Sequence, residues 1–409
     1  MRRLLCNGQV FDGENALCAS HSVLIEDDRI VEVAPAQTFQ GFTDERIDIT
    51  GATLLPGLID CHVHLCFGGE ANPISLLREL RAADFPLRAL AHAQATLLGG
   101  VTTVRDLGGH EYAELAVRDA ILAGRHSGPT ILCAGKMICI SGGHGWFVGI
   151  EADGADECTK AVRTNVKAGA DIIKFMISGG VMTPGVHPLA CHQSEEETRA
   201  VVIEASRLGK TVACHATGAP GILQAVKAGV TSIEHGFQIT DEIISVMRTC
   251  GTVLVPTLSA MGCATADKVE RMPAYVRERV DEYRQMQWES VRRYYRAGGR
   301  IAMGTDAGTP FNHHGANVGE LKYMVEVGME PLDVLRASTS VAADLLRLPD
   351  HGRVRAGCVA DLLVITGDPL EDIEAVSDPR NHRFVLKRGR IVRGPSMLQA
   401  LPSINTRTA

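Results

Sequence analysis

Two histidines two positions apart, His62 and His64, close an apolar stretch that begins at Ala52 and runs to Ile59. Residues at i and i+2 of a β-strand point to the same side, so both imidazoles would face one point while Cys61 and Val63 face the other way. Neutral imidazoles that converge suit a borderline metal ion such as zinc. Four more residues of ligating or basic type follow apolar, β-branched runs: Lys174, His215, His235 and Asp306. Most have a plainer reading. His215 or His235 alone could be a hydrogen-bonded pocket histidine, and Asp306 in Gly304-Thr305-Asp306-Ala307-Gly308 could cap the segment that follows. Lys174 is harder to explain that way. It sits between Asp171-Ile172-Ile173 and Phe175-Met176-Ile177. An ammonium buried in such a strand needs a partner or a depressed pKa. A neutral lysine can take up carbon dioxide as a carbamate, an anionic group with two oxygens able to bridge two metal ions.

Something must bring these side chains together, and the chain shows a repeated cadence. A helix-like stretch ends in glycine, and an apolar strand follows at once. Gly99-Gly100 leads into Val101–Asp106, Gly169 into Ala170–Lys174, and Gly209 into Lys210–His215. Gly229 leads into Val230–His235, Gly251 into Thr252–Pro256, and Gly298-Gly299 into Arg300–Asp306. With Leu54–His64 and Pro129–Ala134, that makes eight strands. Continuous apolar strands alternating with helices predict an α/β fold with a parallel sheet, here a (β/α)8 barrel over residues 55–349. The candidate residues then stand at strand ends, where such barrels carry their chemistry. A doubly wound sheet fits less well, because no Gly-x-Gly-x-x-Gly opens a helix after the first strand. Both chain ends read as short strands and turns. They predict one small β-sandwich domain built from residues 1–54 plus 350–409, with the stretch from about Pro395 poorly ordered.

Composition narrows the function classes. The chain has 409 residues, 45% hydrophobic and 22% charged, with a net charge of −7. An acidic balance leaves no footprint for nucleic acid. No run of about 18 apolar residues predicts a membrane span. The start, Met1 to Gly8, lacks the apolar stretch of a signal peptide. Twelve scattered cysteines without a Cys-x-x-Cys suit free thiols in a reducing cytoplasm. The expected partner is a small molecule, and a homo-oligomer is compatible with the sequence.

The order His-x-His, Lys, His, His, Asp on the first, fourth, fifth, sixth and eighth strands resembles the amidohydrolase superfamily in its binuclear, carboxylated-lysine form. The resemblance spans nearly the whole chain. It includes Pro56-Gly57-Leu58-Ile59-Asp60-Cys61-His62-Val63-His64 and the tail Gly357-Cys358-Val359-Ala360-Asp361-Leu362-Leu363-Val364. Ile140-Ser141-Gly142-Gly143-His144-Gly145 and Met176-Ile177-Ser178-Gly179-Gly180-Val181 are similar to the branch of imidazolonepropionase-like proteins and cytosolic Xaa-Pro dipeptidases, the prolidase-like enzymes.

The resemblance implies that His62, His64 and Asp306 hold the more buried of two divalent metal ions, expected to be zinc, and that His215 and His235 hold the more exposed one. Lys174, carrying carbon dioxide as its carbamate, would bridge the two together with a hydroxide. Asp306 would serve as general base and then acid, and His144 would donate to the developing oxyanion. The loop from Gly179 to Gly185 would cover the substrate, with Gly179 and Gly180 letting backbone approach it. Arg105 and Asp106, ending the second strand, read equally as support behind the ligands or as structural. One departure stands out: Thr217 occupies a position where prolidase-like members often carry tyrosine and dipeptidases for basic residues often carry histidine. As a substrate contact, a small hydroxyl there weakens recognition of a free carboxylate. The implied function is metal-dependent hydrolysis of an amide-type C–N bond, of a dipeptide or N-acyl amino acid. The alternatives are a urea, carbamate or lactam hydrolase, or a cyclic-amidine deaminase or imidazolone-type ring hydrolase. Lys174 counts against the last pair, and the full ligand set counts against a non-catalytic scaffold.

Overall fold

The computed structural model describes residues 1–17, 21–77 and 79–394, and shows a mixed α/β architecture. The stretch from Pro395, expected to be poorly ordered, lies outside the described residues. Strands from both chain ends interleave. One sheet has the order Arg29–Pro35, His21–Glu26, Arg2–Cys6, Glu45–Asp48. The other runs Arg390–Arg393, His382–Lys387, Leu362–Thr366, Ala52–Pro56, Gln9–Phe11, Ala16–Leu17. Its central pairing joins the two ends of the chain: Leu362–Thr366 lies antiparallel to Ala52–Pro56, with Leu363 opposite Leu55. Leu5, Val23 and Ile25 of the first sheet share an apolar cluster with Leu54, Leu362 and Leu386 of the second.

The remaining strands are parallel and fall into two sheets. Thr130–Cys133, Val101–Asp106 and Leu58–Val63 form one. Ile150–Glu151, Ile138–Cys139, Ile173–Met176, Val212–Ala216, Ser232–His235 and Val253–Val255 form the other. Most of these strands are buried along their whole length, as strands covered on both faces must be. The helices between them end where expected, with Gly169 at φ 102° and Gly229 at φ 98° as left-handed caps.

Two expected strands differ in detail. Leu54–His64 is not one strand but two, Ala52–Pro56 in a terminal sheet and Leu58–Val63 in a parallel one. Gly57 is the pivot between them. A Cβ there would stand 2.3 Å from Thr102, so only glycine lets the chain pass from one sheet to the next so close to the neighbouring strand. The eighth strand, expected over 300–306, is reduced to a parallel bridge between Ile301 and Leu254. It still bonds on both sides, from Ala302 N to Leu254 O at 2.9 Å and from Cys61 N to Met303 O at 2.9 Å. Its extended run stops at Asp306, whose φ of 59° is left-handed.

Candidate metal centre

His62 and His64 leave the same strand on the same side, and their outward nitrogens meet one oxygen. Nε2 of His62 is 3.3 Å and Nε2 of His64 is 3.2 Å from Asp306 Oδ1. The opposite ring nitrogens are occupied. Nδ1 of His62 donates to Glu234 Oε2 at 2.8 Å, and Nδ1 of His64 donates to the carbonyl of Gly108 at 2.8 Å. Acceptors on Nδ1 leave Nε2 unprotonated, the form that can ligate a metal ion. His215 is turned the other way: its Nε2 donates to Gly179 O at 2.8 Å, which frees Nδ1. In His235, Nδ1 lies 2.7 Å from Thr257 Oγ1.

The three side chains whose ligand atoms gather most closely are His62, His235 and Asp306, all within 4.8 Å of one another. His64 joins them through Asp306. The His215 ring is centred 4.6 Å from His235 and 4.5 Å from His144. All six expected ligands and His144 line one cavity of about 870 Å³, its open mouth included.

Strand alternation alone could not place all of these groups. Glu234 reaches His62 from the same strand on which the next residue, His235, lines the cavity. Successive residues of a regular strand face opposite ways. His235 escapes that rule with a φ of 72°, and Thr257 and Asp306, at φ 53° and 59°, end their segments in the same left-handed region. Non-glycine residues rarely hold such angles, and surrounding bonds must over-determine them. Asp60 does so beside Asp306. It is buried and accepts from Thr305 N, Thr305 Oγ1, Asn317 Nδ2 and His62 N, at 2.6 to 3.0 Å.

Burial sets the charge states. It pulls His62, His215 and His235 well below the ordinary imidazole range, with Lys174 nearby adding to the effect. Burial pulls His144 down to about 3. Burial also opposes charge on His64, but the adjoining Asp306 carboxylate outweighs it and raises that imidazole. Asp306 itself is held below the usual carboxylate range by His62, His64 and Lys174, against its burial. Lys174 is 1% exposed, and burial lowers it to about 8.

Among the described residues, the Nζ of Lys174 has no hydrogen-bond partner. A buried amine with nothing to bond is costly as it stands. Carboxylation would turn it into an anionic two-oxygen ligand among neutral imidazoles. That orphaned atom, with nitrogen and carboxylate donors around it, fits a pair of borderline divalent ions.

Sequence patterns left Arg105 open between support and a structural role, and they did not single out Glu234. Glu234 and Arg105 are 0% and 2% exposed, and Arg105 Nη2 donates to Glu234 Oε1 at 2.9 Å. Arg105 also donates to Cys61 O at 2.5 Å and to Ser232 Oγ at 3.1 Å. The available signal was two charged residues inside apolar strands, each next to a candidate or a strand end. Asp106, the other residue of that pair, accepts from Leu65 N at 2.8 Å and Gly108 N at 2.9 Å, holding the chain beyond His64.

The residues expected as substrate contacts have partners within the protein. Thr217 borders the cavity, but its hydroxyl donates to Pro188 O at 2.5 Å and also meets Ser178 Oγ at 2.8 Å, so its proton is already committed. Gly179 gives its carbonyl to His215, as above. Gly180 makes room for His144, whose ring atoms lie 2.4 Å from where a Cβ would stand. His144 Nδ1 lies 2.7 Å from Thr183 Oγ1. The loop after the strand Ile173–Met176 does reach the cavity, through Val181 and Met182, and Tyr275 braces it with a bond to Met182 O at 3.1 Å.

Comparison with known proteins places this geometry. The sequence profile described as Amidohydrolase family matches residues 53–392. Ochratoxinase of Aspergillus niger is 30% identical over 375 residues, covering 84% of this chain and 76% of that protein. Imidazolonepropionase of Salinispora arenicola is 24% identical over 387 residues, covering 88% of this chain and 90% of that protein. A crystal structure of a Xaa-Pro dipeptidase with bound methionine in the active site superposes with a TM-score of 0.87 at 33% identity, covering 96% of this chain and 100% of that one.

Proposed function

The chain belongs to the amidohydrolase family, and from that premise we propose that it hydrolyses an amide-type C–N bond of a small molecule with two divalent metal ions, zinc by the chemistry of the donors. His62, His64, His215, His235, Asp306 and carboxylated Lys174 are the ligands in this reading. The observation that carries it is the unpartnered Lys174 Nζ, buried among four histidines and an aspartate in one cavity. The same reading takes the two parallel sheets as one closed (β/α)8 barrel over 55–349, beside a small β-sandwich domain of 1–54 plus 350–409. Bonds from Asp171 N to Cys133 O and from Cys61 N to Met303 O, at 2.8 and 2.9 Å, tie Thr130–Cys133 to the segment entering Ile173–Met176 and Leu58–Val63 to the last parallel segment, and support closure.

When bound, two divalent ions lower the pKa of a water molecule and polarise a carbonyl oxygen. The protein's own groups do the rest. Asp306 accepts the proton of the attacking water and delivers it to the leaving nitrogen. His144, with its Nδ1 against Thr183, presents Nε2 to the carbonyl oxygen as negative charge develops there. Glu234 holds the His62 ring in the ligating tautomer.

The names of the relatives include a dipeptidase, an ochratoxinase and an imidazolonepropionase. A dipeptide or N-acyl amino acid substrate follows the prolidase-like resemblance. A specific observation favours the second reading, a non-peptide amide: the Thr217 hydroxyl is spent on Pro188. Zinc-loaded protein screened against dipeptides, N-acyl amino acids, N-acyl amines, lactams and aryl ureas should release amine from at least one class. Absence of turnover across all five, with two zinc ions bound per chain, would overturn the proposal.

A further inference from the structure

The cavity that holds the candidate ligands is walled by two separate apolar clusters. Phe67, Met137, Val148 and Met176 belong to one, with Phe147 packed against it. Val181 and Phe237 belong to the other, with Met182 and Met261 packed against it. Among the described lining residues, Lys174 is the sole lysine or arginine, and the reading above commits it to the metals. Among the described lining side chains, His144 is then the donor left beside the reacting carbonyl. Thr217 has given its proton to Pro188 O, Thr309 donates to Asp306 O, and Thr257 lies against His235.

Gln287 adds an acceptor. It is 1% exposed and lines the same cavity. Its Nε2 donates to Pro256 O at 2.5 Å, which fixes the orientation of the amide, and its Oε1 has no partner among the described residues. An unfilled, buried acceptor favours a ligand N–H and opposes an anion.

A carboxylate placed against these apolar walls, away from the metal ions and His144, would lose its water and find no lysine, arginine or uncommitted side-chain donor to replace it, a cost that neutral groups do not carry. Apolar groups gain there by leaving water, and the four methionines can adapt to their shape.

Resting on the amide-hydrolase reading, we infer that the substrate is a neutral amide bearing an N–H, with an apolar group on each side of the bond and no free carboxylate. Its chemical class is that of N-acyl arylalkylamines, anilides and their carbamate or urea counterparts, rather than dipeptides.

A matched pair tests this. N-hexanoyl-2-phenylethylamine and N-hexanoyl-L-phenylalanine share the acyl chain, the amide and the ring, and differ only by the carboxylate. With zinc-loaded protein, kcat/KM for the neutral compound should exceed that for the acid at least tenfold. Equal or faster turnover of the acid overturns the inference. Calorimetric titration of both compounds separates this from a failure of the hydrolase reading. If neither is cleaved but the neutral one binds at least tenfold tighter, the substrate class stands and the hydrolysis falls. If the acid binds as tightly, or neither binds, the substrate class falls.

Discussion

At the scale of single residues, the decisive feature is a buried charge pair behind a candidate ligand, His62. Glu234 accepts from both His62 and Arg105 with neither charge reaching water. Glu234→Gln removes one partner and leaves a buried guanidinium uncompensated, which costs about 3–5 kcal/mol. It also loosens the tautomer and orientation of His62, and loss of such support typically weakens metal binding by about 10–100-fold. Thermal denaturation and competition with a chelator measure the two effects separately. An unchanged zinc affinity would show that the carboxylate serves only Arg105. Asp306→Asn should retain the fold and lose about 10²–10⁴ in kcat, since an amide can neither take nor deliver the proton. Full activity in that variant against every hydrolysed substrate would remove Asp306 from proton transfer.

At the scale of elements, strands deliver the side chains and the junctions between strands store the constraint. Gly57 is such a junction. Gly57→Ala forces a methyl against Thr102, and overpacking of this kind costs about 1–3 kcal/mol, to be read from urea denaturation. A second junction joins the helix Leu258–Gly262 to the helix Glu320–Glu326. Glu320 is buried and accepts from Leu258 N at 2.7 Å and Ser259 N at 2.6 Å. Burial pushes it from 4.5 up to about 8 despite those donors. The folded protein therefore holds this proton more tightly than the unfolded chain. Its stabilisation is full below about pH 4.5 and is lost as pH rises toward about 8, at no more than about 1.4 kcal/mol per unit. Glu320→Gln does not titrate, so its melting temperature relative to the parent should rise between pH 5 and 8. A difference that stays constant over that range would mean the carboxyl is ionised throughout.

At the scale of the whole molecule, the chain's two ends and its cavity depend on one another. Leu362–Thr366 pairs with Ala52–Pro56, and only Gly57 separates that strand from the one carrying His62. The site is thus anchored to residues some three hundred positions away. Metal binding should stabilise this assembly as any ligand of the native state does, by RT ln(1 + [L]/Kd). Chelation followed by dialysis should lower the melting temperature and abolish hydrolysis, and zinc with bicarbonate should restore both. A melting curve insensitive to chelation and to zinc would argue against ions seated among these ligands.

Much of this was legible in the residues. Apolar strand runs, glycine caps and six residues of ligating type carry their information locally, through periodicity and chemical identity. Those patterns anticipated the strand-and-helix cadence, and they anticipated that His62, His64, Lys174, His215, His235 and Asp306 would share one cavity. Where they erred, a local signal was overridden by a neighbour distant in sequence. Thr102 split Leu54–His64 at Gly57. The last parallel segment, expected over 300–306, keeps only the bridge between Ile301 and Leu254. Only the tertiary structure decided that Arg105 and Glu234 stand behind His62, that Pro188 takes the Thr217 hydroxyl, and that two apolar clusters wall the cavity. The physical reason is that a hydrogen bond or a wall contact exists only when groups far apart in sequence come within a few ångströms. Packing determines that distance, and no local pattern of residue types contains it.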